Sequence, residues 1–281
     1  MANQGHYGGD NRGTRQGIYI CAPSGAFLAS INSTNPDRVL KMLREGLEAW
    51  RQLPKKQRRL SASSEIKPAH RWEDSYPANG LILSMITRDL PEQCNPLEPC
   101  EVKWNQDQVW FTQEESRQWL PANPQAGEVH SVPPELVARL ARFHLVDTVK
   151  GQSATFSRGG VEDSTISTEM LEREGSTVKL KITGLTQGVT GAGWWRESSN
   201  GVVSRLLGEA TYDLDNKTFV EFELVALGRR WGATNLNGRR RGAEQGPLGF
   251  VFRLAPAGAV PIAPAFIGSY NADWVKTRSR N

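Results

Sequence analysis

The sequence contains one neighbouring pair of residues that could move a proton to or from a substrate, His144 and Asp147. A histidine beside a carboxylate can act as a general base, so this pair predicts a hydrolase as one alternative. The pair follows an apolar helical repeat, and a helix C-terminus stabilises a charged imidazole without any catalytic role. The sequence therefore favours a structural histidine at this position.

The spacing of the histidines does not indicate a metal site. The four histidines are His6, His70, His130 and His144. None of them lies in an H-x-x-x-H or H-E-x-x-H pattern, so a metal site would need ligands from distant segments. We predict no metal and no cofactor.

The three cysteines, Cys21, Cys94 and Cys100, contain no C-x-x-C motif. Cys94 and Cys100 flank a short loop, and a disulfide between them is sterically allowed in an oxidising compartment. Two reduced thiols are the other interpretation. Cys21 lies in an apolar segment, which predicts a buried, unreactive thiol.

Aromatic and basic residues cluster in two places that could hold a ligand. Trp194 and Trp195 are adjacent in a glycine-rich segment, and Arg229, Arg230 and Trp231 end a long apolar repeat. Together they would suit a small anionic or aromatic ligand, or a protein partner. Packing of the tryptophans in a core is the alternative.

Basic residues are concentrated in three segments, although the formal net charge is only +4. The segments are 55–59, 238–242 and the C-terminus. A nucleic-acid contact through Arg239, Arg240 and Arg241 is a third class of function. We favour solvated loops instead, because no nucleic-acid-binding module is recognisable around them. No apolar run is long enough to cross a membrane.

The periodicity of apolar residues predicts the elements that would position these groups. Two short strands around the Pro23–Gly25 turn precede a helix over 37–53, whose apolar stripe should pack in a core. A capping box at Thr112 and Glu115 predicts a short helix, and a second helix should begin at 131–134.

After residue 150 the period changes to the alternation of strands. Hairpins are predicted around 174–176 and 215–216, followed by a fifth strand from 246. On the strand from 218, one face carries Phe219, Glu221, Glu223 and Val225 and the other carries Val220, Phe222, Leu224 and Ala226. This alternation predicts that one face of the sheet is exposed to solvent. An antiparallel sheet of this length should curl into a barrel or cover one face with helices.

Residues 17–53 resemble the closing β-β-α of a thioredoxin fold. The dithiol and the cis-proline of that fold have no counterpart here, so the resemblance implies no redox catalysis. Five stretches resemble uncharacterised bacterial, planctomycete-type proteins in which a thioredoxin-like segment precedes a β-rich region: "TRQGIYICAPSGAFLA", "WNQDQVWFT", "LARFHLVDTVKGQ", "LLGEATYDLD" and "ELVALGRRWGAT". This resemblance implies no established activity.

The predicted fold class is therefore α+β, a partial thioredoxin-like unit with an antiparallel β-sheet or barrel-like domain. The predicted segments are a disordered 1–16, the thioredoxin-like 17–53, a linker 54–75, a mixed helical connector 76–149, the β domain 150–256 and a proline-rich tail 257–281.

The leading functional prediction is a non-catalytic binding or interaction protein. The alternatives are a thiol-disulfide protein whose catalytic half is missing, or a hydrolase. No apolar leader follows Met1, which predicts a cytoplasmic protein; a signal segment upstream would make it periplasmic or secreted.

Overall fold

The computed structural model describes residues 17–59, 75–91, 103–151, 153–190, 200–233, 237–239, 245–258, 262–270 and 275. The chain divides into two compact units, residues 1–69 and 70–281. The disorder predicted for residues 1–16 lies outside the described residues.

The smaller unit is a hairpin with one helix. Strands β1 (Ile18–Cys21) and β2 (Phe27–Ile31) pair antiparallel, and helix α1 (Pro36–Gln52) packs against β2. Asn35 caps the helix, because its side chain accepts a hydrogen bond from the backbone N–H of Arg38 at 3.1 Å. The order strand, strand, helix matches the sequence prediction.

The apolar stripe of α1 was predicted to pack in a core, and this prediction is wrong for most of its leucines. Met42 and Gly46 are buried against the hairpin, whereas Leu40, Leu43 and Leu47 are each about half exposed. Gly46 lies so close to Ile20 that a Cβ atom would come within 2.6 Å of its side chain. The helix therefore approaches the hairpin through its smallest residue and leaves three leucines on the opposite side.

The larger unit contains an eight-stranded antiparallel sheet in the order β4-β3-β10-β9-β8-β7-β6-β5. Its strands are β3 (Leu81–Asp89), β4 (Trp104–Phe111), β5 (Val129–Ser131), β6 (Thr165–Glu174), β7 (Thr177–Thr190), β8 (Asn200–Asp213), β9 (Thr218–Trp231) and β10 (Gly246–Leu254). The antiparallel β-sheet is confirmed. Residues 76–149, predicted as a separate connector, instead contribute β3, β4 and β5 to this sheet.

Two short helices lie against one face of the sheet. Helix α2 (Gln113–Arg117) begins with the predicted capping box, in which Thr112 and Glu115 exchange side-chain and backbone hydrogen bonds. Helix α3 (Pro134–Phe143) contacts β6 and β7. Trp119 is fully buried beyond α2, with its ring 5.9 Å from that of Phe111 and 5.5 Å from that of Phe222. This ring therefore joins strands β4 and β9 through the core.

The alternation on β9 holds except at one point. Phe222, Leu224 and Ala226 face the core, as predicted, and the glutamates between them are exposed. Phe219 is buried and Val220 exposed, which reverses their predicted faces. A bulge explains the reversal: Thr211 pairs with Glu221 and Tyr212 with Phe219, so Val220 has no partner on β8 and the side-chain parity shifts by one residue.

Among the described residues, no helix has both the length and the apolar composition needed to cross a membrane.

Candidate functional site

The predicted pairing of His144 with Asp147 is wrong. His144 follows the last turn of α3 and is completely buried. Its Nε2 lies 2.7 Å from the hydroxyl oxygen of Tyr270, and its Nδ1 lies 3.3 Å from a carboxylate oxygen of Asp107. Asp147 turns instead toward Arg239.

Hydrogen bonds between Tyr270 and His144 and between Ala265 and Asp107 fasten the segment after β10 to α3 and β4. The other oxygen of Asp107 accepts a hydrogen bond from the backbone N–H of Ala265 at 2.9 Å. The Tyr270 ring stacks on Phe143 at 5.6 Å. Burial raises the pKa of the Tyr270 hydroxyl well above its usual range, so this group stays protonated and acts as a hydrogen-bonding tether.

Sequence reasoning missed both partners of His144. Tyr270 lies 126 positions away in the chain, and Asp107 lies on a strand that the periodicity did not reveal. The sequence does predict Tyr270, with Phe266 and Trp274, as an aromatic anchor of the proline-rich segment, although not as a partner of His144; Trp274 lies outside the described residues.

A buried ionic cluster forms where β3 and β9 end. The Arg239 guanidinium donates to both oxygens of Asp89 at 2.8 and 2.7 Å and to both oxygens of Asp147 at 2.8 Å. Arg230 approaches the same carboxylates at 3.6 and 3.8 Å. Burial alone would raise the pKa of Asp89, but the hydrogen bonds and charge of Arg239 outweigh it and the pKa lies below its usual value.

This cluster corrects the prediction of a solvated basic loop at 238–242. The Arg239 side chain is only 2% exposed, so it has no surface to offer a phosphate group. Arg240 and Arg241 lie outside the described residues. The ion pair between Arg239 and Asp89 holds residues 237–239 at the end of β3.

Three of the predicted ligand residues, Arg229, Arg230 and Trp231, lie in the described part of the chain, on alternating faces of β9. Arg229 is exposed on one face of β9, while Arg230 points to the opposite face and into the ionic cluster. The Trp231 ring lies over Gly201, where a Cβ atom would come within 2.2 Å of it. Trp194, Trp195, Cys94 and Cys100 lie outside the described residues, and the half-buried thiol of Cys21 lies on β1.

An open groove of about 970 Å³ lies beside α2, α3 and the short 3-10 helix Arg158–Gly160. Charged and polar side chains line most of it. The lining residues are Ala78, Thr112, Gln113, Glu114, Glu115, Gln118, Pro134, Glu135, Ala138, Arg139, Arg142, Phe143, Arg158, Val161, Glu162 and Ser164. Thr112 and Glu115 stood out in the sequence only as a helix-capping signal, and no local spacing indicated the groove, because its residues come from separate segments of the chain.

One arginine of the groove, Arg139, forms an ion pair with a glutamate of the groove. The Arg139 guanidinium donates to both oxygens of Glu115 at 2.6 and 2.5 Å and lies 4.9 Å from the centre of the Tyr270 ring. This bidentate pair sits almost entirely inside the protein. Arg139 and Glu115 both line the groove, and Arg139 also contacts the buried ring of Tyr270.

Arg142 and Arg158 are the other two arginines of the groove. Nε of Arg142 donates to the carbonyl oxygen of Phe156 at 2.9 Å, and its guanidinium carbon lies 4.7 Å from the centre of the Phe143 ring. Partial burial, together with the charge of Arg158, holds the pKa of Arg142 below its usual value. Arg158 itself is exposed and makes no ion pair with another described residue.

Within the described ranges, no three histidine, cysteine, aspartate or glutamate side chains are arranged to hold a metal ion. No family model, curated protein or solved structure matches this chain. The groove and its charges are therefore the basis for any functional inference.

Proposed function

We propose that the larger unit is a non-catalytic binding domain that holds a small anionic ligand between Arg142 and Arg158. The observation that carries this proposal is that Arg142 and Arg158 line one groove and that neither forms an ion pair with another described residue. An anion placed between them would remove the repulsion and gain charge-assisted hydrogen bonds.

The shape of the arginine group favours a carboxylate or phosphate. Guanidinium forks match the planar pair of oxygens in a carboxylate and the oxygens of a phosphate. Arg142 is well placed for this role, because its Nε bond to Phe156 and its contact with Phe143 fix the direction of the fork before a ligand arrives. A preorganised donor loses less conformational entropy when it binds.

The other groups of the groove support binding rather than bond cleavage. Glu115 is committed to Arg139, and Ser164 exchanges hydrogen bonds with the backbone of Gln187. The histidine of the hydrolase alternative is completely buried beside Tyr270. The described lining therefore offers fixed charges, but no nucleophile with an adjacent base.

Isothermal titration with sodium phosphate and, separately, with sodium succinate tests the proposal. We expect wild-type protein to bind at least one of them, and Arg158→Gln to bind it about 10- to 100-fold more weakly, as expected for the loss of a charged hydrogen bond. Arg38→Gln, which removes an exposed arginine from α1, is the matched control and should bind like wild type.

Equal weakening in both variants would mean that only the net charge matters, and would contradict the groove. Phosphate binding without succinate binding would assign the ligand to the phosphate class, and the reverse result would assign it to carboxylates. Binding of neither anion would refute the proposal.

The thioredoxin-like origin of residues 17–53 and the kinship with planctomycete-type proteins remain proposals. Support for the former comes from the order β1, β2, α1 and the antiparallel pairing of the two strands. The cytoplasmic location also remains a prediction from the sequence.

A further inference from the structure

The groove beside α2 and α3 carries charges of both signs that are not paired with each other. Arg139 and Glu115 neutralise one another in a nearly buried ion pair. The charged residues that remain in the lining are Arg142, Arg158, Glu114, Glu135 and Glu162. The three glutamates are exposed, and none of them forms an ion pair with another residue of the described ranges. The groove therefore presents two positive and three negative groups to a ligand.

This mixture of charges is a poor match for a ligand that carries negative charge alone. An anion held by Arg142 and Arg158 would share the groove with three carboxylates, and these would repel it. A ligand that also carries a positive group would meet an opposite charge at both of its ends. The charges of the lining therefore favour a ligand with one anionic and one cationic group.

Helix α3 fixes the spacing of one pair of these opposite charges. Glu135 lies in its first turn and Arg142 in its last turn, seven positions further along the chain. Residues with this spacing share one face of a helix and lie about 10 Å apart along its axis. Ala138 lies between them and also lines the groove. Its small side chain leaves space for a ligand that extends along the helix from one charge to the other.

Helix stability alone would also favour an acidic residue in the first turn of α3 and a basic residue in the last. It does not account for Arg158 and Glu162, which lie outside α3 and line the same groove. Glu162 reaches back to the 3-10 helix, where its Oε1 lies 3.7 Å from the position that a Cβ atom on Gly159 would take. A second segment thus supplies charges of both signs to the groove.

The uncharged part of the lining can accommodate a peptide backbone. The side-chain amide of Gln118 is exposed, has no hydrogen-bond partner among the described residues, and can both donate and accept. Each peptide unit offers the matching acceptor and donor. An extended chain advances about 3.3–3.6 Å per residue, so about three residues cover the distance between Glu135 and Arg142.

We propose that the groove binds a short peptide of about three residues, with its terminal carboxylate at Arg142 and Arg158 and its terminal amine at Glu135. This inference rests on the proposed anion site and specifies the rest of the ligand. A free amino acid is too short to reach Glu135 from the arginines, and phosphate has no positive group. Both would make contacts at the arginine end alone.

Isothermal titration of the full chain with trialanine at pH 7 is the first test. The comparison ligands are N-acetyl-trialanine, trialanine amide and free alanine. The first two lack one terminal charge each, and the third has both charges but not the length. We expect trialanine to bind about 10-fold more tightly than any of them, as expected for the loss of one charged contact.

The substitution Glu135→Gln tests the position of the amine. The variant should bind trialanine about 10-fold more weakly than wild type but N-acetyl-trialanine equally well, because the acetylated peptide has no positive group to lose. Glu209→Gln changes an exposed glutamate of β8 that does not line the groove, and is the matched control. It should keep the preference for the free amine. A purely structural role of Glu135 would weaken the two peptides alike.

Equal binding of trialanine and N-acetyl-trialanine by wild type would overturn this inference, as would equal binding of trialanine and alanine. Binding of phosphate or succinate without binding of trialanine would also overturn it, while the anion site itself would stand. A preference for the free amine that survives Glu135→Gln would refute the assignment of the amine to this residue. If none of these compounds binds, the proposed function fails together with the inference.

Discussion

Two groups of arginines in the larger unit differ in how completely their charge is matched. Arg239 is buried between Asp89 and Asp147, with four hydrogen bonds of 2.7 to 2.8 Å. Arg142 and Arg158 lie at the open groove, where partial burial and the charge of Arg158 lower the pKa of Arg142. The charge of the first group is matched within the chain, whereas the second group forms no ion pair among the described residues and is the one that we propose for ligand binding.

The two groups also differ in burial. A buried ion pair has lost its hydration, so it tolerates no missing partner. Arg158 is exposed, so its charge keeps its hydration and its repulsion from Arg142 costs little.

The largest effect should follow the substitution Arg239→Met. It leaves the carboxylates of Asp89 and Asp147 close together and without their main partner, so we expect a loss of about 3–5 kcal/mol in the free energy of unfolding. Urea denaturation monitored by tryptophan fluorescence measures it. Arg253→Met breaks the exposed pair with Glu223 and should cost less than about 1 kcal/mol. Similar losses in the two variants would show that burial does not distinguish them.

A smaller loss is expected from Tyr270→Phe, which removes the hydroxyl that faces Nε2 of His144. A buried ring nitrogen without its partner costs about 1–3 kcal/mol. Tyr212→Phe is the matched control, since the Tyr212 ring is equally buried and its hydroxyl has no hydrogen-bond partner among the described residues. Stability should be unchanged or increased in the control. Equal destabilisation of the two variants would mean that the Tyr270 tether contributes nothing specific.

Protonation of Asp89 at low pH should destabilise the folded protein, because it weakens the ionic cluster with Arg239. Its pKa is lower in the folded protein than in the unfolded chain, so the unfolded chain takes up protons first. The stabilisation is complete above the unfolded value of about 4 and is lost as the pH falls through the lower folded value. Urea midpoints measured between pH 7 and pH 3 should fall more steeply for wild type than for Asp89→Asn. Parallel curves would remove Asp89 from the acid response.

The smallest effect on stability should come from Arg158→Gln. Loss of one of two repelling charges should change the free energy of unfolding by no more than about 0.5 kcal/mol, and in the stabilising direction. The same variant should lose anion binding, so stability and binding change in opposite directions. A large destabilisation would show that Arg158 holds the groove together and is not available to a ligand.

Local patterns in the sequence predicted the elements with strong local signals. The hairpin turns near 174–176 and 215–216, the capping box at Thr112 and the strand from Gly246 all depend on residues a few positions apart. Edge strand β4 was not predicted, because polar residues occupy its first half and conceal the alternation. The reversal at Val220 depends on a bulge that is defined by pairing with another strand.

The sites could not be predicted for a different reason. Arg239 and Asp89 are 150 positions apart, and their contact depends on how β3 and β9 are brought to the same end of the sheet. A basic segment and an isolated aspartate look like surface in the sequence. The groove likewise gathers residues from four separate segments of the chain, and no local spacing indicates that they meet.

The segment that carries Ala265 and Tyr270 also has a consequence for handling the protein. It covers the apolar side chains of Trp110 and Phe143, and its backbone N–H groups donate to the side-chain oxygens of Gln108 and Asp107 on β4. A chain shortened at residue 261 would expose those aromatic rings. Exposed apolar surface of this kind promotes association, so truncation should be read out as insoluble aggregates during expression rather than as a compact, less stable monomer.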